Sequence, residues 1–339
     1  MNQYRVAIIG ATGAVGSIFL ECLESRNFPV GELFLYASPR SEGKVLHFRN
    51  KPYRIFGLTP ENVEKVDFAF FSAGDTLSKE YAPRFAEKGA TVIDNSSAWR
   101  MDPEIPLVVP EVNPEALEGA NGIIANPNCS TIQMVVALKP LHEAAKVKRV
   151  VVSTYQAISG AGGLALDEFD GQIRDSVLKD GLSRNEIFSR PMAYNAVAQI
   201  PHSKDAFLES GYTGEEFKMI AETKKIFSDS SIQVAPTCVR IPVRNGHCES
   251  INVETEKEIS VKEALDLFRS APGVVLCESP EDLPTPAEID GRPEVFIGRV
   301  RKDPTVAHGL HLWVVADNIR KGAALNAVQI AEKMISLPV

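Results

Sequence analysis

The sequence predicts an α/β protein built from two domains. Three observations support this prediction: a length of 339 residues, alternating strand-like and helix-like segments in the first part, and a change of pattern after residue 148. A chain of this length is too long for one ordinary hydrophobic core and long enough for two.

The composition is that of a globular protein. Hydrophobic residues make up 44% of the chain, charged residues 24%, and the formal net charge is −8. An acidic chain without a basic block gives no electrostatic reason to expect nucleic acid or an anionic membrane as a partner. No apolar stretch approaches the ~18 residues that a membrane-spanning helix needs. Basic residues that bind an anionic substrate are therefore expected to be local.

The cysteine pattern gives no support to a zinc site or a redox dithiol, because no C-x-x-C pair occurs. An odd, scattered set of thiols does not predict a disulfide framework either, which favours a reducing cytoplasm. The five cysteines are Cys22, Cys129, Cys238, Cys248 and Cys277. The N-terminus begins with a strand-like run at 5–9 and does not resemble a signal peptide. We expect a cytoplasmic protein without a metal.

Strand and helix signals alternate through the first 128 residues. Helical spacing of apolar residues covers 14–25 and 78–88. Short apolar runs typical of strands lie at 5–9, 33–36, 67–71 and 90–93. Because alternating strands and helices build parallel sheets with helices on both faces, we expect such a sheet in the first domain.

The segments after residue 148 are longer and more polar, with one clear helical pattern at 261–270. Segments with strand character lie at 149–155, 231–243, 249–255, 295–300 and 310–316. This spacing predicts an α+β domain with a mixed sheet.

A final helical pattern over 321–335 is expected to return to the first domain. One predicted domain therefore comprises residues 1–128 and 318–339, and the other comprises residues 129–317.

A glycine-rich turn joins the first predicted strand to the first predicted helix. Residues 10–16 read G-A-T-G-A-V-G, a spacing variant of the dinucleotide fingerprint. Glycines let the backbone approach a pyrophosphate, and the helix N-terminus offers free N–H groups and the positive end of its dipole. The turn predicts a Rossmann-type domain with cofactor contacts from Gly10, Ala11, Thr12, Gly13, Ala14, Val15 and Gly16.

The segment after the second strand predicts which dinucleotide is bound. NAD-preferring sites usually place Asp or Glu there to hold the ribose 2′-hydroxyl. Residues 36–41 read Y-A-S-P-R-S and contain no carboxylate. Ser38, Arg40 and Ser41 suit a 2′-phosphate instead, although an ordinary polar turn around Pro39 would explain the same residues. We expect NADP.

Residues 126–132, N-P-N-C-S-T-I, are the most informative stretch. The apolar run 134–138 predicts a buried helix that begins near Cys129. A helix N-terminus favours a thiolate, and its free N–H groups can stabilise an oxyanion. Cys129 is therefore the predicted nucleophile, whereas the other four cysteines are expected to be buried and structural.

Motifs in order along the chain resemble those of the aspartate-semialdehyde dehydrogenase family. They are G-A-T-G-A-V-G at 10–16, S-P-R-S at 38–41, D-N-S-S-A-W-R at 94–100, N-P-N-C-S-T at 126–131, T-Y-Q-A-I-S-G-A-G-G at 154–163, E-E-F-K at 215–218, E-T-K-K-I at 222–226 and D-N-I-R-K-G-A-A-L-N-A-V-Q at 317–329. The resemblance covers essentially the whole chain, and the combination is specific although no single motif is.

This resemblance implies an NADP-dependent phosphorylating aldehyde dehydrogenase. The family interconverts L-aspartate 4-semialdehyde, phosphate and NADP⁺ with L-4-aspartyl phosphate and NADPH. The reaction serves the biosynthesis of lysine through diaminopimelate, and of threonine, methionine and isoleucine. In the reductive direction Cys129 would attack the acyl phosphate, phosphate would leave, and hydride transfer to the thioester would give the aldehyde.

The resemblance also implies roles for residues beyond Cys129. His247 is expected to be the general acid/base, Gln156 to orient the acyl intermediate, and Arg240 to hold the substrate α-carboxylate. From the residues alone, His202 and His311 remain alternatives to His247.

Phosphate contacts are expected from Asn95, Arg100 and Lys218. Glu215, three residues before Lys218, is expected to share a helix face with it and to bind the substrate amino group or orient the lysine. The sequence by itself would favour a simple exposed ion pair. Further cofactor contacts are implied for Ser72, Gly74, Ser159, Gly160 and Asn326.

The chain around His247 predicts a β-hairpin. Asn245-Gly246 is typical of two-residue hairpin turns, and strand-like runs flank it. In such a hairpin residue 244 would pair with His247, and Arg240 would lie on the same face as His247.

Two alternatives stay open from the sequence. N-acetyl-γ-glutamyl-phosphate reductase shares the chemistry, but its cysteine motif normally reads P-G-C-Y where this chain has P-N-C-S. A catalytically inactive binding relative is the other, and the joint presence of Cys129, Gln156, Arg240 and His247 argues against it. The family resemblance implies homodimers formed through the second domain, in some cases paired into homotetramers.

Overall fold

The computed structural model describes residues 3–178, 186–201 and 206–336. The chain divides into two units, one formed by Met1–Asn128 with Ala323–Val339 and the other by Cys129–Gly322. The second unit ends at residue 322 rather than at the predicted 317. The reason is that Asp317 and Asn318 accept hydrogen bonds from the backbone N–H groups of Gly291 and Gly246, within that unit.

In chain order, the elements are β1 (Tyr4–Ile9), α1 (Ala14–Ser25), β2 (Val30–Ala37), β3 (Val45–Phe48), β4 (Lys51–Gly57), β5 (Phe68–Phe71), α2 (Asp75–Glu87), β6 (Thr91–Asp94), β7 (Ile123–Ala125), α3 (Cys129–Ala145), β8 (Val147–Gln156), α4 (Gly163–Leu178), α5 (Gly214–Ile226), β9 (Gln233–Arg240), β10 (His247–Thr255), α6 (Val261–Ser270), β11 (Val274–Cys277), α7 (Pro286–Ile289), β12 (Val295–Asp303), β13 (Gly309–Ala316) and α8 (Leu325–Ser336). Short 3₁₀ turns join several of them, and a π-helical turn at Arg320–Ala324 precedes α8.

The first unit is built on a seven-stranded sheet in the order β3-β4-β2-β1-β5-β6-β7. All neighbouring strands are parallel except β3 and β4. The chain runs from β1 to β2 on one side and later to β5 on the other side of β1. The carboxyl ends of β1 and β5 therefore form a topological switch point, which is where such sheets bind ligands.

Helices cover both faces of this sheet. Val6 and Ile8 of β1 pack into the apolar cluster formed with α1 and α8, whereas Ala7 and Ile9 pack into the cluster formed with α2. Since successive strand residues point to opposite faces, burial on both faces explains the uninterrupted apolar run of β1.

The second unit is built on a six-stranded mixed sheet in the order β11-β12-β13-β10-β8-β9. β8 and β9 are parallel, as are β11 and β12, and the other neighbours are antiparallel. Helix α3 packs across β8, β10, β12 and β13. The run Met134–Leu138 in α3 is fully buried, as the sequence predicts.

The predicted hairpin at Asn245-Gly246 is wrong. β9 and β10 are not neighbours, because β8 lies between them and pairs with both. The turn dipeptide instead ends a loop: the backbone N–H groups of Ile158 and Ser159 donate to the carbonyls of Val243 and Arg244. β8 comes from an earlier part of the chain, so its position between β9 and β10 cannot be inferred from the turn residues alone.

The other predicted elements are present; α1 and α6 have the predicted bounds, and the ends of the others are shifted. The sequence patterns did not predict β3, β4, β7, β11, α4 or α7. β3 has four residues and β7 has three, so their apolar runs are too short to predict a strand. No helix in the described part of the chain is long and apolar enough to cross a membrane.

Candidate active site

Cys129 lies at the start of α3, as predicted from the turn before it. Its side chain is partly exposed, in contrast to the buried thiols of Cys22, Cys238 and Cys248. Free N–H groups and the positive end of the dipole at a helix N-terminus favour a thiolate at this position. At this position a substrate can reach the Cys129 thiol, and the helix favours its thiolate form.

A row of polar side chains crosses three neighbouring strands of the second unit. Strand register places Arg240 of β9 beside Gln156 of β8, and His247 of β10 follows Gln156 across the sheet. Residues in register share a sheet face. We call Arg240, Gln156 and His247 the catalytic row. All three are buried.

His247 makes the contact that defines the site. Its Nε2 lies 3.4 Å from Cys129 Sγ and 3.4 Å from Gln156 Nε2. On the other side of the ring, the backbone N–H of Ala157 donates to Nδ1 at 3.0 Å. Because a backbone N–H can only donate, Nδ1 carries no proton, and the proton of the neutral ring lies on Nε2, facing the thiol.

The surroundings of His247 oppose a positive charge on the ring. Complete burial, together with the charge on Arg240, lowers its pKa to about 3, and Glu215 acts in the opposite direction. A proton added at Nδ1 would also meet the N–H of Ala157. His247 is therefore a neutral imidazole at physiological pH.

Gln156 is held by groups on both sides. Its amide nitrogen donates to Glu215 Oε1 at 3.0 Å, and Thr154 Oγ1 donates to its Oε1 at 3.1 Å. Glu215 lies in the first turn of α5, which a capping box at Thr213 starts. Lys218 Nζ lies 3.2 Å from Glu215 Oε2, so the predicted shared helix face is confirmed.

Arg240 points into the same space. Its Nη1 donates to the Ala157 carbonyl at 2.6 Å, whereas its buried Nε has no hydrogen-bonding partner among the described residues. Burial lowers the pKa of this guanidinium, and Glu215 opposes that shift. A buried cationic donor without a partner fits a carboxylate ligand.

Two glycines leave room around the reacting atoms. A Cβ at Gly160 would lie 3.1 Å from Arg240 Nη1 and 3.3 Å from His247 Nε2. A Cβ at Gly322 would lie 2.8 Å from Cys129 Cβ, closer than real contacts allow. Gly160 was predicted as a cofactor contact, and the structure places it over the catalytic row. Gly322 escaped sequence analysis, because nothing local marks its approach to Cys129.

The glycine turn of the first unit fits a dinucleotide. Gly10 has φ +90°, and a Cβ on it would lie 2.2 Å from the Ser72 carbonyl oxygen. A Cβ at Gly16 would lie 2.1 Å from the Gly10 carbonyl oxygen. Gly13 precedes α1 without a side-chain cap. The first turn of α1 can therefore present its N–H groups to a phosphate.

The segment after β2 also fits the predicted cofactor. Ser38 and Arg40 are exposed, and Thr12 Oγ1 of the glycine turn donates to Ser41 Oγ at 3.4 Å. The first carboxylate after β2 belongs to Glu42, which lies against Gly57 at the end of β4. These residues suit the 2′-phosphate of NADP.

Asn95 and Arg100, the predicted phosphate contacts of the first unit, lie together. Arg100 Nη2 donates to the Asn95 carbonyl at 2.7 Å, and Asn126 donates to Asn95 Oδ1 at 2.6 Å. Asn95 Nδ2 is buried and has no partner among the described residues. That donor is available for an anion.

The remaining predicted cofactor residues have different positions. Ser72 and Gly74 lie in the loop between β5 and α2, and Ser72 approaches Gly10 of the glycine turn. Ser159 is buried and donates to Asn245 Oδ1 at 2.9 Å. Asn326 is fully buried and donates to the Val108 carbonyl at 3.0 Å and to Asn126 Oδ1 at 2.7 Å. Those bonds fasten α8 within the first unit, and the cofactor contact of Asn326 stays a prediction.

Of the two alternative histidines, His311 lies on β13 with Nε2 3.6 Å from Asp303 Oδ2. His202 lies outside the described residues. His247 alone of the three is placed beside Cys129 by the described structure. No cluster of metal-binding side chains occurs among the described residues.

Comparisons with known proteins give matches over nearly the whole chain. Residues 5–120 match the family model "Semialdehyde dehydrogenase, NAD binding domain", and residues 138–321 match "Semialdehyde dehydrogenase, dimerisation domain". A protein of Aquifex aeolicus named aspartate-semialdehyde dehydrogenase is 58% identical over 98% of both chains.

Two solved structures extend the comparison. Aspartate semialdehyde dehydrogenase II of Vibrio cholerae, complexed with ASA, is 49% identical over 99% of both chains, with a TM-score of 0.94. The enzyme of Candida albicans with NADP is 25% identical over 99% of both chains, with a TM-score of 0.76. The predicted fold class is confirmed by the two sheets and by these similarities.

Proposed function

This chain belongs to the aspartate-semialdehyde dehydrogenase family, and on that premise we propose how its own side chains carry out the family reaction. The chain is an NADP-dependent oxidoreductase of amino-acid biosynthesis. It interconverts L-aspartate 4-semialdehyde, phosphate and NADP⁺ with L-4-aspartyl phosphate and NADPH. The observation that carries the residue-level proposal is the 3.4 Å contact between Cys129 Sγ and His247 Nε2.

Cys129 acts as the nucleophile. In the reductive direction its Sγ bonds to the acyl carbon, the bond from that carbon to the phosphate oxygen breaks, and phosphate leaves. When bound, NADPH supplies the hydride that reduces the resulting thioester. The C–S bond then breaks as the carbonyl re-forms, which releases the aldehyde and restores the thiolate.

His247 acts through its Nε2–H. From the sequence we expected a general acid/base, but the bond from Ala157 N–H to Nδ1 and the low pKa of the ring support a narrower role. A neutral imidazole of this tautomer donates a hydrogen bond to the Cys129 thiolate. It would later donate one to the oxyanion of the thiohemiacetal. Stabilisation of this kind needs no change of charge on the ring.

The other members of the site hold the substrate. Arg240 binds the α-carboxylate, a role supported by its unpartnered, buried Nε. Gln156 orients the acyl group and is itself held by Glu215. Glu215 and its neighbour Lys218 supply a carboxylate for the substrate amino group and a cation for phosphate.

In the first unit, we assign cofactor contacts to the glycine turn and to Ser38, Arg40 and Ser41. Ser72 borders that turn, and Gly74 lies two residues further along the same loop; we assign cofactor contacts to both. Asn95 and Arg100 are assigned to phosphate, supported by the free donor of Asn95.

We assign the chain to a homodimer, supported by the match of residues 138–321 to a dimerisation domain. Light scattering during gel filtration distinguishes a dimer from a monomer or a tetramer. The five free thiols favour a reducing compartment, the cytoplasm.

A substrate comparison tests the proposed function. The protein should reduce NADP⁺ with L-aspartate 4-semialdehyde over repeated turnovers only when phosphate is present. N-acetyl-L-glutamate 5-semialdehyde should be a poor substrate. Preference for the acetylated compound would assign the chain to the other reductase, and absence of turnover with both would support an inactive relative.

A further inference from the structure

A second row of side chains lies beside the catalytic row on the same face of the sheet. Strand register places Cys238, Thr154 and Glu249 next to one another on β9, β8 and β10. Glu249 follows His247 by two residues on β10, so both side chains leave the same face of the strand. Thr154 holds Gln156, but Glu249 has no role in the reaction as described.

Glu249 is a carboxyl group in an apolar setting. It is completely buried, its oxygens make no close hydrogen bond among the described residues, and the Gln133 side chain is the one hydrogen-bonding group that acts on its charge. Burial raises its pKa well above the usual range, and the Gln133 side chain, which favours the ionised form, does not offset this. An isolated buried carboxylate is costly, whereas the acid form is tolerated.

Gln133 connects this carboxyl to the reacting pair. It lies four residues after Cys129 on α3, one turn further along the same helix face. Its Nε2 lies 3.4 Å from the backbone carbonyl oxygen of His247 and donates to it. Its Oε1 is buried without a partner among the described residues. Gln133 thus spans the helix that carries the nucleophile and the strand that carries His247.

We propose that Glu249 is a positioning residue that works as an uncharged carboxylic acid and, together with Gln133, holds β10 against α3. The acid form offers an O–H donor as well as a carbonyl acceptor, and both complement an amide. Loss of this link would loosen the spacing between Cys129 Sγ and His247 Nε2. The inference rests on the proposed function, because it takes Cys129 and His247 as the reacting pair.

Two replacements of Glu249 distinguish the contributions of its charge, its hydrogen bonds and its side-chain volume. Glu249→Gln keeps the shape and a donor and acceptor but cannot ionise, whereas Glu249→Met keeps the volume without polar groups. We expect Glu249→Met to lower kcat by about 10- to 100-fold, the range for groups that orient a reacting side chain. KM should change little. Glu249→Gln should restore most of that kcat.

The rate at which iodoacetamide alkylates Cys129, measured by peptide mass spectrometry, reports on the site without substrate. This rate should be lower in Glu249→Met and close to that of the wild type in Glu249→Gln. Thermal unfolding should show Glu249→Met to be about as stable as the wild type, because it replaces a buried polar side chain with an apolar one of similar volume. Cys248→Ala, on the opposite face of β10, is the matched control and should keep wild-type kcat.

The protonation state is tested by infrared difference spectroscopy. At neutral pH the wild type should show the C=O stretch of a protonated carboxyl that is missing from Glu249→Gln. If that band is absent, or if Glu249→Gln loses as much kcat as Glu249→Met, Glu249 works as a carboxylate and the proposal fails. Wild-type kcat and alkylation in Glu249→Met would also overturn it.

The link through Gln133 has its own test. Gln133→Met should reproduce the kinetics of Glu249→Met, and the double variant should be no slower than either, because the two side chains form one link. Additive losses would contradict a shared link. Failure of the proposed function looks different: wild-type protein would alkylate normally at Cys129 and yet lack turnover with the semialdehyde.

Discussion

The glycine turn of the first unit and the catalytic row of the second are built in opposite ways. The turn is a run of seven consecutive residues, Gly10–Gly16, and its geometry follows from the strand before it and the helix after it. The row takes one residue from each of three strands, and the two residues nearest in sequence along it, Arg240 and His247, lie on strands separated by β8. A local motif can be recognised from spacing, whereas a row depends on strand register.

The two regions also differ in burial. Ser38 and Arg40 beside the turn are exposed, whereas Gln156, Arg240 and His247 are buried. Exposed groups beside a cofactor site contribute binding energy. Buried groups are selected for one protonation state, as the low pKa of His247 illustrates. Changes in the row should therefore alter turnover, and changes beside the turn should alter cofactor choice.

The largest effect is expected for Cys129→Ser. A serine hydroxyl has no thiolate character at neutral pH, so kcat should fall by more than ~10³-fold while cofactor binding persists. Steady-state turnover and NADPH fluorescence titration measure the two properties. Cys277→Ser, at another partly exposed thiol, is the control and should keep its activity. Substantial turnover in Cys129→Ser would remove Cys129 from the mechanism.

The second-largest effect is expected for replacement of His247. His247→Leu removes the donor to Sγ and should lower kcat by roughly 10²–10³-fold, as loss of one oxyanion donor does. His247→Gln keeps an N–H donor and should recover part of this loss. Single-turnover kinetics with both variants provide the comparison. Equal, complete inactivity of the two would favour proton transfer by the ring over hydrogen bonding.

Arg40→Ala should change the preference between NADP⁺ and NAD⁺ without affecting the catalytic row. A charge-assisted hydrogen bond contributes about 1.5–3 kcal/mol, so kcat/KM should favour NADP⁺ over NAD⁺ by about 10- to 100-fold in the wild type. The variant should lose most of that preference and keep its NAD⁺ activity, which serves as the internal control. Equal losses with both dinucleotides would make Arg40 structural.

The smallest effect is on acid stability. The folded-state pKa of His247, about 3, lies below the unfolded value, so only the unfolded chain takes up a proton as the pH falls below 6.5. Stability that is complete above pH 6.5 is then lost as the pH falls toward 3. By pH 5 the loss is about 2 kcal/mol, which His247→Gln should not show. Urea unfolding of both proteins at pH 7 and pH 5 measures the difference, and parallel losses would contradict a neutral His247.

The contrast between the regions explains what could be read from the sequence. The glycine turn, the start of α3 at Cys129 and the Glu215–Lys218 pair were predicted because each depends on residues within a few positions. The hairpin was wrong because Asn245-Gly246 is compatible with a tight turn, while β8 occupies the place beside β10. Arg240 and His247 nevertheless share a face, for a different reason from the predicted one.

Other features had no local signal. The approach of Gly322 to Cys129 and the donation from Ala157 N–H to His247 depend on backbone positions far apart in sequence. The hydrogen bonds that Asn326 donates to Val108 and Asn126 also join residues far apart in sequence. The Glu249–Gln133 arrangement also requires the packing of α3 on β10, which spacing alone does not reveal.

The covalent intermediate tests the central claim most directly. Wild-type protein mixed with L-aspartate 4-semialdehyde and NADP⁺, without phosphate, should form one NADPH per active site and then stop. Acid quenching and peptide mass spectrometry should place the acyl group on Cys129, and added phosphate should release it. An acyl group on another residue, or a burst of NADPH without any protein-bound acyl group, would contradict the account.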